Sequence, residues 1–223
     1  LDNGGPGTYS QLLILKEQMS RLASDLKIPE DEVYPADYFD LIGGVGFGGL
    51  VAIMLGLLRM NVEETIDGLL DVAYSVFPDV SSDMINREAN TRNLRRAVEG
   101  ILRARNVPLE AKMKQDSRKQ TRCKMYDAIY AANSAHLNHP QAFRTYSSRG
   151  SSLNPTIVDA LCATISFPSH FLPVKIGPPR RQQSFVGNVL GANNPTRLLL
   201  EEASNMYGKD RRVAQIISLG CGI

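Results

Sequence analysis

Leu41-Ile42-Gly43-Gly44-Val45-Gly46-Phe47-Gly48-Gly49-Leu50-Val51-Ala52-Ile53-Met54-Leu55-Gly56-Leu57-Leu58 runs for 18 residues without a charge, between Asp40 and Arg59. That length reaches the threshold for a membrane span, and Gly44-x-x-x-Gly48 matches a helix-pairing motif. Glycine content decides against a span. Six glycines lie in the run, five of them between Gly43 and Gly49, and each costs about 1 kcal/mol relative to alanine inside a helix. The run reads instead as a short strand over Phe39–Ile42, a tight turn over Gly43–Gly49 and a buried helix over Leu50–Leu58.

Upstream, Asp2-Asn3-Gly4-Gly5-Pro6-Gly7 is a dense turn signal. Leu12, Leu15, Met19, Leu22 and Leu26 then recur at helical spacing, so a Gly-rich loop feeds a helix. Downstream, Asn61-Val62-Glu63-Glu64 has N-cap chemistry and opens a helix expected to reach about Val76. Met125 to Ala132 is predicted as a strand, Pro155 to Ile165 as a helix with its start, and Ser184 to Val186 as a short strand. Thr196 to Met206 is predicted as a helix and Val213 to Leu219 as a final strand. Helices alternating with short apolar strands predict an α/β sandwich with a mainly parallel sheet.

The chain has 223 residues, 43% of them hydrophobic, which suits one domain with a sizeable core. A net charge of +2 gives no general attraction to nucleic acid or anionic membrane. Cys123, Cys162 and Cys221 are odd in number and widely spaced, which argues against a disulfide framework or a zinc site and fits a reducing cytoplasm. His136 and His139, beside Pro140, read as loop residues, and with His170 they make no metal-spaced set. From Ser81 to Lys124 there are twelve Lys or Arg against five Asp or Glu, and no aromatic residue. Arg87, Arg92, Arg95, Arg96, Arg103 and Arg105 interleave with Leu94, Val98, Ile101 and Leu102. Such a stretch is either a basic amphipathic surface for anionic lipid headgroups or a solvated helix face. Without aromatic platforms it is a poor nucleic-acid surface, and the solvated face is the expected reading.

Two features point to acyl-transfer chemistry. A Gly-rich loop at a helix N-terminus offers backbone N–H groups to a developing oxyanion. A strand, a glycine turn and a helix make an elbow that raises a nucleophile above a sheet. The wording of the segments is more specific. Leu1-Asp2-Asn3-Gly4-Gly5 with Leu12-Leu13-Ile14-Leu15-Lys16, then Tyr38 to Gly44 and Gly48 to Gly56, resemble patatin-like phospholipases, especially the fungal type. Phe143-Arg144-Thr145-Tyr146, Ala163-Thr164, Gly191-Ala192-Asn193-Asn194-Pro195 and Ile217-Ser218-Leu219-Gly220 resemble later segments of that family, in the same order.

The resemblance implies a three-layer α/β sandwich over residues 1–223, with a mainly parallel central sheet flanked by helices, and no cofactor or metal. It implies a Ser–Asp dyad: a serine in G-x-S-x-G attacks the acyl carbonyl, and an aspartate in D-G-[AG] is the base. This sequence departs at both positions. Gly44-Val45-Gly46-Phe47-Gly48 places Gly46 at the nucleophile position, and Phe185-Val186-Gly187-Asn188 places Gly187 at the base position. The oxyanion loop keeps Gly4 and Gly5. It has Asn3 where the family has glycine, Gly7 where it has a basic residue and Thr8 where it has glycine, and Pro6 has no N–H to donate.

The expectation is therefore a catalytically inactive domain acting as an interaction, regulatory or lipid-recognition module. The alternative is residual acyl-ester hydrolysis through a non-standard nucleophile. Ser10, Ser166, Ser184 and Cys221 lie near the motifs, while Asp2 is expected to hold the loop's turn rather than act as a base. Expected partners are an acyl lipid or membrane surface and further domains of a longer polypeptide. The expected location is cytoplasmic, with peripheral membrane contact as an option.

Overall fold

A computed structural model describes residues 1–77, 85–114, 123–131, 141–147, 153–187 and 193–220, with the backbone alone described over 124–131. Helix α1 (Thr8–Leu26) follows a 3-10 turn at Gly5–Gly7, and α2 (Pro35–Tyr38) is a single turn before β1 (Leu41–Gly44). Helices α3 (Phe47–Gly56), α4 (Val62–Val76) and α5 (Arg87–Ala104) come next, then β2 (Lys124–Ala131) and β3 (Gln141–Arg144). The chain continues through α6 (Ile157–Ile165), β4 (Val174–Ile176), β5 (Gln183–Val186) and α7 (Thr196–Tyr207).

Local chemistry sets the helix starts. Asn61 caps α4 in a reciprocal box: its side chain accepts from Glu64 N–H at 2.9 Å and Glu64 accepts from Asn61 N–H at 3.0 Å. Asn86 and Thr156 cap α5 and α6, accepting from Ala89 and Asp159 N–H. The charge-free run divides in the expected order, into β1, a turn and α3, but not at the expected bounds: Gly43 and Gly44 belong to the strand and Phe47, Gly48 and Gly49 to the helix, which leaves only Val45 and Gly46 for the turn. All ten residues of α3 are buried, so it is the core's central helix, packed against α4, α6, β1 and β2. Among the described residues no helix is long and apolar enough to cross a membrane.

Strands run in the order β1-β2-β5-β4, with β3 also paired to β2. Among the described residues only β1–β2 is parallel, with Leu41 opposite Lys124 and Gly44 opposite Asp127. The pairs β2–β3, β2–β5 and β4–β5 are antiparallel. The expectation of a mainly parallel sheet is not met among the described residues. Connection length explains two of these pairs. Only residues 132–140 join β2 to β3 and only 177–182 join β4 to β5, whereas a parallel crossover takes roughly a dozen residues or more.

Alternation along the strands separates two apolar faces. Ile42 and Phe143 belong to the main core with α3 and α6, while Leu41 and Ala142 pack with Val45 and the α7 residues Leu198 and Leu199. Helices thus cover both faces. Strand β4, only three residues long, and β3 escaped the periodicity reading. Residues 213–219, predicted as a strand, form no ladder among the described residues. Their single backbone tie to the N-terminal segment is Leu219 C=O accepting from Asp2 N–H at 3.1 Å.

Candidate active site

The β1–α3 junction holds an elbow. Gly46 has φ 60° and ψ −128°, a region open almost only to glycine. Its carbonyl accepts the first helical bond from Leu50 N–H at 3.1 Å, and its N–H donates to Thr164 Oγ1 at 2.9 Å. The flanking glycines are set by close approach rather than by φ. A Cβ on Gly44 would overlap the Gly48 carbonyl, and one on Gly48 would lie 2.6 Å from Leu1 O. Gly44-x-x-x-Gly48 therefore closes a turn beneath the N-terminal segment.

That segment lies across the elbow. Gln11 of α1, fully buried, holds it: Asp2 N–H donates to Gln11 Oε1 at 3.2 Å and Gln11 Nε2 donates to Asp2 O at 3.0 Å. Asn3 N–H is spent on Asn193 O at 3.0 Å and Gly7 N–H on Gly4 O at 2.9 Å. Gly5, at φ 53°, turns the chain into α1. The Asn3 side chain stands directly over Gly46. A Cβ there would overlap Asn3 Oδ1 and lie 2.6 Å from Asn3 Cγ.

Gly187 follows β5, buried against the end of α6. Its N–H donates to Ser166 O at 2.9 Å, and a Cβ on it would sit 2.5 Å from Thr164 O. Thr164 therefore touches both vacated positions, through its hydroxyl at Gly46 and its carbonyl at Gly187. The structure brings Gly46, Gly187 and the loop together, but the space between Gly46 and the loop is filled by Asn3.

The remaining sequence candidates fall elsewhere or are tied down. Ser166 is buried, its hydroxyl donating to Ala163 O at 2.8 Å, and exposed Ser10 donates to Gly7 O at 2.8 Å. Burial pushes the Cys162 thiol up to about 12, with Arg95 offsetting only part of this. Burial also raises the Asp2 carboxyl, against the amine of Leu1 and a 3.4 Å bond from Asn194. Ser184 lies in β5. Cys221, His136, His139, Asn188 and Gly191 lie outside the described residues.

Four arginines of the basic stretch have structural partners. Arg87 holds Phe171 O at 2.8 Å, Arg95 holds Asp159 at 2.6 Å, Arg103 holds Glu99 at 2.9 Å and Arg105 holds Glu64 at 2.8 Å. On those four, the solvated-face reading fits better than a free basic surface.

A family model for patatin-like phospholipases matches residues 1–200. The chain belongs to the patatin-like phospholipase family. No curated protein matches it. Within this patatin-like domain, sequence reading located the elbow, the loop and Gly187 but missed the parts played by Asn3, Gln11 and Thr164. Gln11 left one trace, a polar residue one helical turn before Leu15 on the apolar stripe. The other two left none, because their partners are distant in sequence.

One substitution tests the elbow. Gly46→Ser should lower the melting temperature, since a non-glycine residue in this backbone region costs on the order of 1–3 kcal/mol and must also displace Asn3. Adding Asn3→Gly should recover the steric part and leave the backbone part. If Gly46→Ser melts with the parent chain in a thermal scan, the strain assigned to Gly46 is wrong.

Proposed function

We propose that this patatin-like domain is catalytically inactive and serves as an interaction, regulatory or lipid-recognition module of a longer cytoplasmic polypeptide. One observation carries the reading. At the elbow, where the family pattern puts its serine, Gly46 offers no side chain and the Asn3 amide stands where one would begin. Gly187, at the position the pattern gives to the base, has nothing to take a proton.

The magnitudes support loss of activity rather than reduced activity. Removing the nucleophile from a serine-protease triad costs on the order of 10⁶ in rate, and removing its partners as well adds little. What a bare oxyanion site retains over water, roughly 10³–10⁴, depends on free N–H donors. Here the Asn3 and Gly7 amides are already bonded. Among the described residues nothing favours a substitute nucleophile: Ser166 donates to a carbonyl, and the Cys162 thiol is held protonated.

The purified chain is expected to show no serine labelling by a fluorophosphonate probe and no turnover of a short-chain ester above solvent. A labelled serine whose change to alanine abolishes turnover would overturn the proposal. Sedimentation with phosphatidylserine vesicles then separates lipid recognition, which needs binding without turnover, from scaffolding.

A further inference from the structure

Helices α4 and α5 lie side by side, with α4 packed on the buried α3 and α5 on α6. They run antiparallel, and two contacts fix their register. Arg105 Nη1 meets Glu64 Oε1 at 2.8 Å, and the Ile101 side chain lies 3.7 Å from where a Cβ on Gly68 would stand. Each step along α4 therefore matches one step back along α5, which puts Asp67 level with Leu102 and Asp71 level with Val98.

The outward faces of this pair carry opposite charge. On α4, Asp67, Asp71 and Tyr74 recur at helical spacing and are all exposed. On α5, Arg92, Arg96 and Arg103 do the same. Among the described residues neither aspartate forms an ion pair, and nor does Arg92 or Arg96. Arg103 is held by Glu99 of its own helix, a weak pairing at an exposed site. Tyr74 is 72% exposed, the most of any large hydrophobic side chain described.

One symmetry operation suits such a surface. A two-fold axis parallel to the helix pair lays α4 of one copy on α5 of the other and keeps each residue at its own level along the axis. Acid then meets base twice, in an isologous contact. An axis across the helices would set α4 on α4 and α5 on α5, like charge on like. With the parallel axis, Arg103 stands about one residue from the level of the other copy's Asp67, and Arg96 about two residues, roughly 3 Å of rise, from that of Asp71. Arg92 comes near Tyr74, whose ring face attracts a guanidinium.

We propose that the outer faces of α4 and α5 form a two-fold interface with a second copy of this chain, in which Asp67 meets Arg103 and Asp71 meets Arg96. An anionic membrane would attract the arginines but repel the aspartates beside them, whereas a second copy answers both stripes. Charged pairs at such a polar surface make the association weak and sensitive to salt. The proposal is independent of whether the domain has activity.

Sedimentation velocity of the 223-residue chain tests it. The chain is expected to be dimeric at low salt and to dissociate as salt is raised. Asp71→Arg and Arg96→Asp should each weaken the dimer about tenfold or more, since one change alters two symmetric pairs. An equal mixture of the two variants should dimerise again, because each chain then offers the charge that the other lacks. One chain carrying both changes should dimerise for the same reason. Recovery in the mixture also shows that neither change unfolds the chain. A parent chain that is monomeric at low salt, a single reversal that leaves the dimer intact, or a mixture that stays monomeric overturns the proposal. So do species larger than a dimer, the mark of an open head-to-tail array. Binding of a monomer to phosphatidylserine vesicles, lost with Arg96→Asp and kept with Asp71→Arg, would overturn it by giving the arginines to a membrane.

Discussion

The Gly187→Asp chain should lose on the order of 3 kcal/mol of stability, from overpacking of roughly 1–3 kcal/mol and a desolvated carboxylate that lacks a donor. The new Cβ would begin 2.5 Å from Thr164 O and 3.1 Å from Ser166 N, both backbone atoms at the end of α6 that cannot rotate away. The new side chain would also start beside the Thr164 carbonyl oxygen, which repels a carboxylate. Urea denaturation of Gly187→Asp and Gly187→Ala divides the loss between shape and charge. A Gly187→Asp midpoint equal to that of the parent would show that β5 and α6 part freely, and the packing argument would fail. The Gly46→Ser/Gly187→Asp chain is expected to remain without ester turnover. Both restored side chains meet occupied space, Asn3 at one position and the Thr164 backbone at the other, so recovery needs at least Asn3→Gly and repair of the loop at Gly7 as well.

A second large effect is expected away from the elbow, where β3 meets α7. Glu202 is the one buried residue of α7. Arg144 grips it with Nε at 2.6 Å and Nη2 at 2.8 Å, and the Tyr146 hydroxyl donates to it at 2.6 Å. Removing one partner of a buried pair costs about 3–5 kcal/mol because the other charge is left uncompensated. Glu202→Ala should fall at the lower end, since Arg144 keeps a 3.2 Å bond to Ala142 O. For a chain of this length that is a drop of roughly 2–4 °C in melting temperature per kcal/mol. Acid provides a second check. Burial alone would raise the Glu202 carboxyl, but the Arg144 and Tyr146 bonds outweigh it and hold it below its ordinary 4.5. The unfolded chain therefore binds the proton first. The contribution is complete above about pH 4.5 and disappears as pH falls through the lower, folded value. Glu202→Ala should flatten this limb of the stability profile, and an unchanged limb would remove Glu202 as its source.

The elements that were legible in advance share one property: their signals are local. Asn61 and Glu64 cap α4 within four residues, so the cap is written in adjacent letters. The same holds for Thr156 with Asp159 and for the six glycines that divide the charge-free run. The arginine-rich stretch was half legible. Helical spacing of Leu94, Val98, Ile101 and Leu102 locates α5, but that Arg87 serves Phe171 O and Arg95 serves Asp159 depends on elements far along the chain.

What the sequence determined by itself is the order of the long helices, the tight glycine turn at the head of α3, and the lack of a nucleophilic or basic side chain at positions 46 and 187. Residue identity and short-range spacing are enough for such statements. Tertiary structure alone decided strand direction, the failure of 213–219 to join a ladder, and the placing of Asn3 and Thr164 against the two glycines. A strand's state depends on the backbone beside it, and the space above a glycine depends on what distant chain passes over it. Neither is encoded within a few residues of the position concerned.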